Sequence, residues 1–208
     1  MKRYVQVAAL ALAVLAPLAA QAPKGWKMRI DHSTAASDPD APGPVKFVTE
    51  GSGFHATNPQ AAIYWNPADT ASGTYTLKGT FTLVKPSSHT NYYGLIFGGS
   101  GLDGAEQSYL YFTVAQNGTW LIKSRNGEGT SGITPKTPSD AVKKPGADGS
   151  SVNALEVRVG ADKVDFVVNG QVVHSEPKTG AMAKTDGICG IRINHVLEVK
   201  IDGFGVSK

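Results

Sequence analysis

Beyond residue 73 the chain alternates apolar and polar positions in short runs rich in Val, Ile, Tyr, Phe and Thr, and clusters of Gly, Asn, Asp and Pro separate the runs. A period of two belongs to half-buried strands, and no stretch there competes with a helical period of 3.6. Runs at 74–84, 92–99, 109–116, 119–125, 153–160, 163–169, 171–176, 187–195 and 197–206 each predict a strand. Asn169-Gly170 stands between two of them. A type I′ turn needs positive φ at both central positions, which Asn and Gly tolerate, so a two-residue hairpin is expected there. Asn117-Gly118 and Asp162-Lys163 mark two further turns. Segments 31–44 and 125–151 carry Pro, Gly, Ser, Thr and Asp without periodicity and are expected as loops, the second long enough to be functional or mobile. Together these features predict an all-β fold, a two-sheet antiparallel sandwich.

The N-terminus has a different pattern. Lys2 and Arg3 precede an apolar, Ala-rich stretch over 5–20 that is interrupted by Pro17 and ends in small residues. This is the form of a cleaved export signal and is too short for a confident membrane span. Cleavage is expected after Ala20, giving a signal peptide over 1–20, one β-sandwich domain over 21–208, and a periplasmic or extracellular location with no membrane span after processing. The full chain has 20 Lys+Arg against 17 Asp+Glu, and loss of Lys2 and Arg3 leaves 18 against 17. That balance lacks the basic stripe that neutralises phosphates, so no nucleic-acid partner is expected. Cys189 is the only cysteine, which excludes an intramolecular disulfide and a cysteine-built zinc site. Inside a strand run, it fits a buried small hydrophobe better than a nucleophile. Nothing in the sequence sets an oligomeric state.

The order YGLIFGG, YLYFTVAQNGTWLIKSR, NALEVRVGADKVDFVVNGQVV, GICGIRINHVLEVKIDGFGV resembles the bacterial laminin-G-like branch of the concanavalin A-like lectin/glucanase superfamily. The resemblance covers about 73–208 and extends toward strands from Trp26. It implies a jelly roll with a concave front sheet, in a superfamily whose members commonly bind sugars, sometimes hydrolyse them, and sometimes hold calcium.

Hairpin geometry then assigns the faces. With Gln116, Asn117 and Gly118 as a three-residue loop and Gly118 in the left-handed region, Ala115 pairs with Thr119. Leu110, Phe112, Val114, Trp120 and Ile122 then point inward, as do Leu155, Val157, Phe166, Val168, Ile191 and Ile193 by the same alternation. A two-residue loop would place Lys123 and Arg125 in the core, where an unpaired charge is costly. The outward face collects Tyr109, Tyr111, Lys123, Arg125, Arg192 and Asn194, a candidate ligand-binding set. Aromatic rings cover the C–H surface of a sugar, and fixed cations and amides reach its hydroxyls or a carboxylate. Three cations favour an acidic glycan. An ordinary solvated sheet face carries the same residue types and stands as the alternative.

Elsewhere, Arg158, Asp165 and His174 are expected as a cross-strand charge ladder, with Ser175 on the opposite face. His55, His89 and His195 share no metal-ligand spacing, so neither metal nor other cofactor is expected. Calcium enters only through the resemblance, with Asp103 in GLDG as a candidate oxygen donor. Glucanases of the superfamily carry E-x-D-x-E or E-x-D-x-x-E on one strand, and no such run occurs here. The sequence therefore favours an exported, non-catalytic, glycan-directed binding protein. Two alternatives stay open: a hydrolase drawing carboxylates such as Glu50, Glu106 or Glu128 from separate strands or loops, and a structural domain whose face is covered by segment 125–151.

Overall fold

A computed structural model describes residues 23–32 and 38–208; the expected export signal lies outside the described residues. The strands are β1 (Lys27–Asp31), β2 (Lys46–Glu50), β3 (Gly53–Asn58), β4 (Ala61–Ala71), β5 (Tyr75–Lys85), β6 (Tyr92–Ser100), β7 (Ser108–Ala115) and β8 (Thr119–Asn126). They continue with β9 (Gly129–Gly132), β10 (Thr137–Pro138), β11 (Ser151–Val159), β12 (Lys163–Val168), β13 (Gln171–Pro177), β14 (Gly187–Ile193) and β15 (Leu197–Ser207). One sheet runs β1-β4-β14-β6-β7-β8-β10 with β9 also on β8; the other runs β13-β12-β11-β5-β15-β3-β2. All pairings are antiparallel. The chain is an all-β, two-sheet sandwich. Among the described residues no helix is long and apolar enough to cross a membrane.

Each strand expected from the alternation is present with ends shifted by at most about two residues. Gly118 has φ 83 and donates its N–H to the Ala115 carbonyl at 3.0 Å, and Val114 pairs with Trp120, which is the three-residue register. Asn169 and Gly170 have φ 49 and 82, and Val168 pairs with Gln171 across them. All eleven side chains expected inside belong to the core between the sheets. Phe112 and Phe166 meet across it with ring centroids 5.1 Å apart.

Two expectations are corrected. Segment 125–151 is not an unstructured loop: it supplies β9 and β10, and beyond them Ala141 and Val142 are buried in the core. Side-chain amides anchor that turn. Asn153 accepts from Lys143 N–H at 2.8 Å and donates to Lys143 O at 3.1 Å, while Asn169 donates to Ala141 O at 2.8 Å. Backbone groups that periodicity leaves without a ladder partner are satisfied this way. The charge ladder also fails at its third rung. Arg158 does face Asp165, but a bulge between Phe166 and Val167 sets Asp165 against Ser175 and His174 against Phe166. Ser175 Oγ donates to Asp165 at 2.5 Å, and His174 instead pairs with Glu176 at 2.7 Å.

Candidate functional site

Adjacent strands of the first sheet stack the expected site residues side by side. Arg192 on β14 sits opposite Gly94 on β6, Gly94 opposite Thr113 on β7, Tyr111 opposite Lys123 on β8, and Tyr109 opposite Arg125. A Cβ at Gly94 would come within 2.3 Å of Phe112 O, so only glycine allows β6 and β7 to approach here. The outer face is not an ordinary solvated sheet. Ile63, Trp65, Tyr92, Ile96 and Leu121 join Tyr109 and Tyr111 in a second apolar cluster, leaving the two tyrosines 1% and 5% exposed.

Over this floor lies an ionic hub that the sequence did not reveal. Asp31, the last residue of β1, receives Arg192 Nη1 at 2.8 Å and lies 3.5 Å from both Arg125 and Arg29. Arg192 also donates to Tyr109 Oη at 2.7 Å, and its guanidinium lies 5.1 Å from the centroid of the Tyr111 ring. Burial works to raise the Asp31 carboxyl, but Arg192, Arg125 and Arg29 outweigh it and hold the group below the ordinary aspartate value. Burial, opposed by Arg192, pushes the Tyr109 phenol up to about 12. Asp31 was missed because it begins the Pro- and Asp-rich segment expected as loop. The alternation Arg29-x-Asp31 in KMRID was the available signal.

Two adjoining cavities open above the floor. The larger, about 600 Å³, is lined by Arg29, Asp31, Asp38, Arg125, Glu128 and Arg192, and its wall continues through Thr130, Asn194 and His195. The smaller, about 240 Å³, shares Asp38, Thr130, Arg192 and Asn194 with it and adds Tyr111, Thr113, Lys123 and Lys136. Of the expected set, Arg125 reaches the larger cavity, Tyr111 and Lys123 the smaller, Arg192 and Asn194 both, and Tyr109 neither. Lys123 is lowered from the ordinary lysine value by burial and then by the like charges of Lys136 and Arg192. Thr113 Oγ1 and Asn194 Oδ1, both buried atoms, have no hydrogen-bond partner among the described residues.

The alternative carboxylates do not converge here. Glu50 lies on the other sheet, where it pairs with His55 at 2.8 Å and with Lys200. Glu106 lines neither cavity, and only Glu128 reaches the cleft. Asp103 accepts from Lys27 Nζ at 2.5 Å. Cys189 is fully buried, and burial, followed by the nearby Asp69, pushes its thiol up to about 12, the state of an inert packing residue. Contrary to the spacing-based expectation, two histidines do meet. His89 in the β5–β6 connection and His195 after β14 bring their Nε2 atoms to 3.2 Å, with Asp38 Oδ1 2.6 and 3.0 Å away.

No protein-family model and no curated protein sequence matches the chain. Solved structures do. A carbohydrate binding module, CBM66 from Bacillus subtilis, superposes with TM-score 0.61 at 12% identity, covering 88% of this chain and 96% of its own. A Bacillus subtilis protein described as having a galectin-like fold gives 0.57 at 14% identity over 88% and 89%. A family 7 alginate lyase, A1-II′, in complex with product gives 0.52 at 14% identity over 88% and 94%. At these identities the likeness is one of fold, that of a two-sheet jelly-roll sandwich.

Proposed function

We propose that this protein is exported and binds an acidic glycan, without cleaving it, in the cleft on the outer face of the first sheet, as a member of the laminin-G-like branch of the concanavalin A-like superfamily. The observation that carries this reading is the charge of the cleft. Arg29, Lys123, Arg125, Lys136 and Arg192 line it against Asp31, Asp38 and Glu128. Asp31 is already neutralised by arginines, so positive charge remains toward Lys123 and Lys136. Lys123 is depressed first by burial and then by the like charges of Lys136 and Arg192, and a uronate carboxylate beside it would offset both. Asn194, half-buried on the wall that the two cavities share, offers its amide to sugar hydroxyls. A carbohydrate binding module and an alginate lyase share this fold, which supports a saccharide as the ligand class. Asp31, held ionised by three guanidiniums, is unsuited to donate a proton at neutral pH, which supports binding rather than hydrolysis.

Calorimetric titration with oligouronates and with neutral oligosaccharides of equal length tests the reading. Binding in the micromolar to millimolar range, about −8 to −4 kcal/mol, is expected for the acidic series alone. Lys123→Ala and Asn194→Ala should weaken it at least about tenfold while the fold is retained. No saturable acidic ligand, or binding indifferent to both substitutions, overturns the assignment. Ultraviolet absorbance of an unsaturated uronate, or new reducing ends, would replace binding with catalysis. The intact mass of the secreted chain checks export, with Gln21 expected as its first residue.

A further inference from the structure

We propose that Asp38, His89 and His195 form a binding site for one divalent ion of the zinc type, at the His195 end of the cleft. Three connections on different strands converge there. The Asp38 Oδ1, His89 Nε2 and His195 Nε2 atoms form a triangle with sides of 2.6, 3.0 and 3.2 Å. An ion about 2.0–2.1 Å from all three, the usual zinc distance, would stand about 1.1 Å off their plane. Tetrahedral ligands at this bond length stand about 3.3 Å apart, so the Asp38–His89 pair would open by about 0.7 Å and the other two by about 0.1–0.3 Å.

The surroundings suit a ligating tautomer. His195 Nδ1 lies 3.0 Å from Asp40 Oδ1 and Nε2 3.0 Å from Asp38 Oδ1; with its proton on Nδ1, shared with Asp40, the ring turns the Nε2 lone pair toward Asp38 and His89. A carboxylate behind a ligating imidazole is the common second partner of such a ligand. The convergence of a carboxylate oxygen and an imidazole lone pair at about 3 Å is repulsive unless a cation or a proton stands between them. The backbone at His89 is held by Gln116 Nε2, which donates to the carbonyls of Ser87 and His89 at 2.7 and 3.0 Å, while Asn91 Nδ2 lies 3.0 Å from His89 Nε2 in a contact that an ion would displace. After His195, Val196 adopts φ 55, a costly conformation for a β-branched residue, and the turn that carries the imidazole is held in it.

The donor set selects the metal class. Two imidazoles and one carboxylate suit zinc and its transition-metal neighbours better than calcium or magnesium, which take oxygens. Exposure differs across the site: the His195 side chain is 6% exposed, whereas His89 and Asp38 are 41% and 45% exposed. One side of the ion would thus face solvent, leaving a position for water or an anionic group, as in zinc sites with three protein ligands. The inference uses only this chain's ligand atoms and does not depend on the glycan reading.

The experiment is a titration of the tag-free, metal-stripped protein with zinc chloride, followed by calorimetry and elemental analysis. Cobalt(II) substitution reports ligand geometry by visible absorption. One ion per chain and a tetrahedral cobalt spectrum are expected. His89→Gln and His195→Gln should each lower zinc affinity at least about 100-fold, and Asp40→Asn by about 10- to 100-fold. His55→Gln, on the other sheet, should leave it unchanged. Far-UV circular dichroism confirms that each variant is folded. His89→Gln, at a half-exposed position, keeps the test decisive if His195→Gln does not fold. Absence of one-to-one zinc uptake means a proton fills the triangle and the proposal fails. Uptake that survives both histidine substitutions marks an adventitious ion and equally overturns it.

Discussion

Asp31→Asn removes one charge from the outer face while keeping the side chain's shape, and the structure gives its consequence a size. In the native protein, one carboxylate, 5% exposed at its side chain, lies 2.8 Å from Arg192 and 3.5 Å from each of Arg29 and Arg125. At an effective dielectric of about 20, each pair at these distances attracts by about 5–6 kcal/mol before desolvation is charged against it. Desolvation of the four groups takes back most of this sum. Without the charge, however, the guanidinium of Arg192, 10% exposed at its side chain, is left facing two other cations. Breaking a buried pair this way costs about 3–5 kcal/mol. For a domain of this size that lowers Tm by about 6–20 °C. Denaturant melts of Asp31→Asn measure it, with Asp103→Asn as the control, because the exposed Lys27–Asp103 pair is worth at most about 1 kcal/mol. The pH dependence has a definite sign. The folded-state pKa of Asp31 is depressed, so its contribution is complete above the unfolded value of about 3.9 and disappears as pH falls from there toward the folded value. Asp31→Asn should therefore flatten that part of the acid limb. A loss below about 1 kcal/mol, with an unchanged acid limb, would show that the arginines are hydrated and that no such hub organises the face.

Phe166→Ala empties space that Phe112 and Phe97 share across the core and should cost about 3–5 kcal/mol in a denaturant melt. A loss under about 1 kcal/mol would contradict the packing. Cys189, with its thiol raised to about 12, should resist a disulfide-exchange reagent in the native protein at pH 8 and react fully once denaturant unfolds the chain. Rapid native reaction would show an exposed, ionised thiol.

The six residues expected to face a ligand are spread over three strands, and their common face followed from parity alone once the Gln116–Gly118 loop fixed one register. Parity cannot report depth. Tyr109 and Tyr111 look like exposed aromatic platforms in sequence, yet they are buried beneath an ionic layer, so substituting Tyr111 or Arg125 perturbs stability as well as any ligand. The charge ladder failed for a related reason. Alternation assumes an unbroken strand pair, and the bulge after Phe166 slips His174 out of line with Asp165.

The sequence by itself determined the strands from residue 74 onward, their turns and the inward set of the sandwich. Each depends on interactions within a few residues: the strand's period of two, the φ tolerance of Asn169-Gly170 and Gly118, and the cost of burying Lys123. Tertiary structure alone decided the rest. Asp31 meets Arg125 and Arg192 across sequence separations of 94 and 161 residues, and His89 meets His195 across 106. No local pattern encodes such meetings, because strand order within a sheet sets which positions become neighbours. β1 and β14 flank β4, and β6 follows β14, so distant segments share one face and one end. The burial that turns an ordinary set of Arg, Asp, Tyr and His side chains into a hub and a cleft exists only after that order is in place.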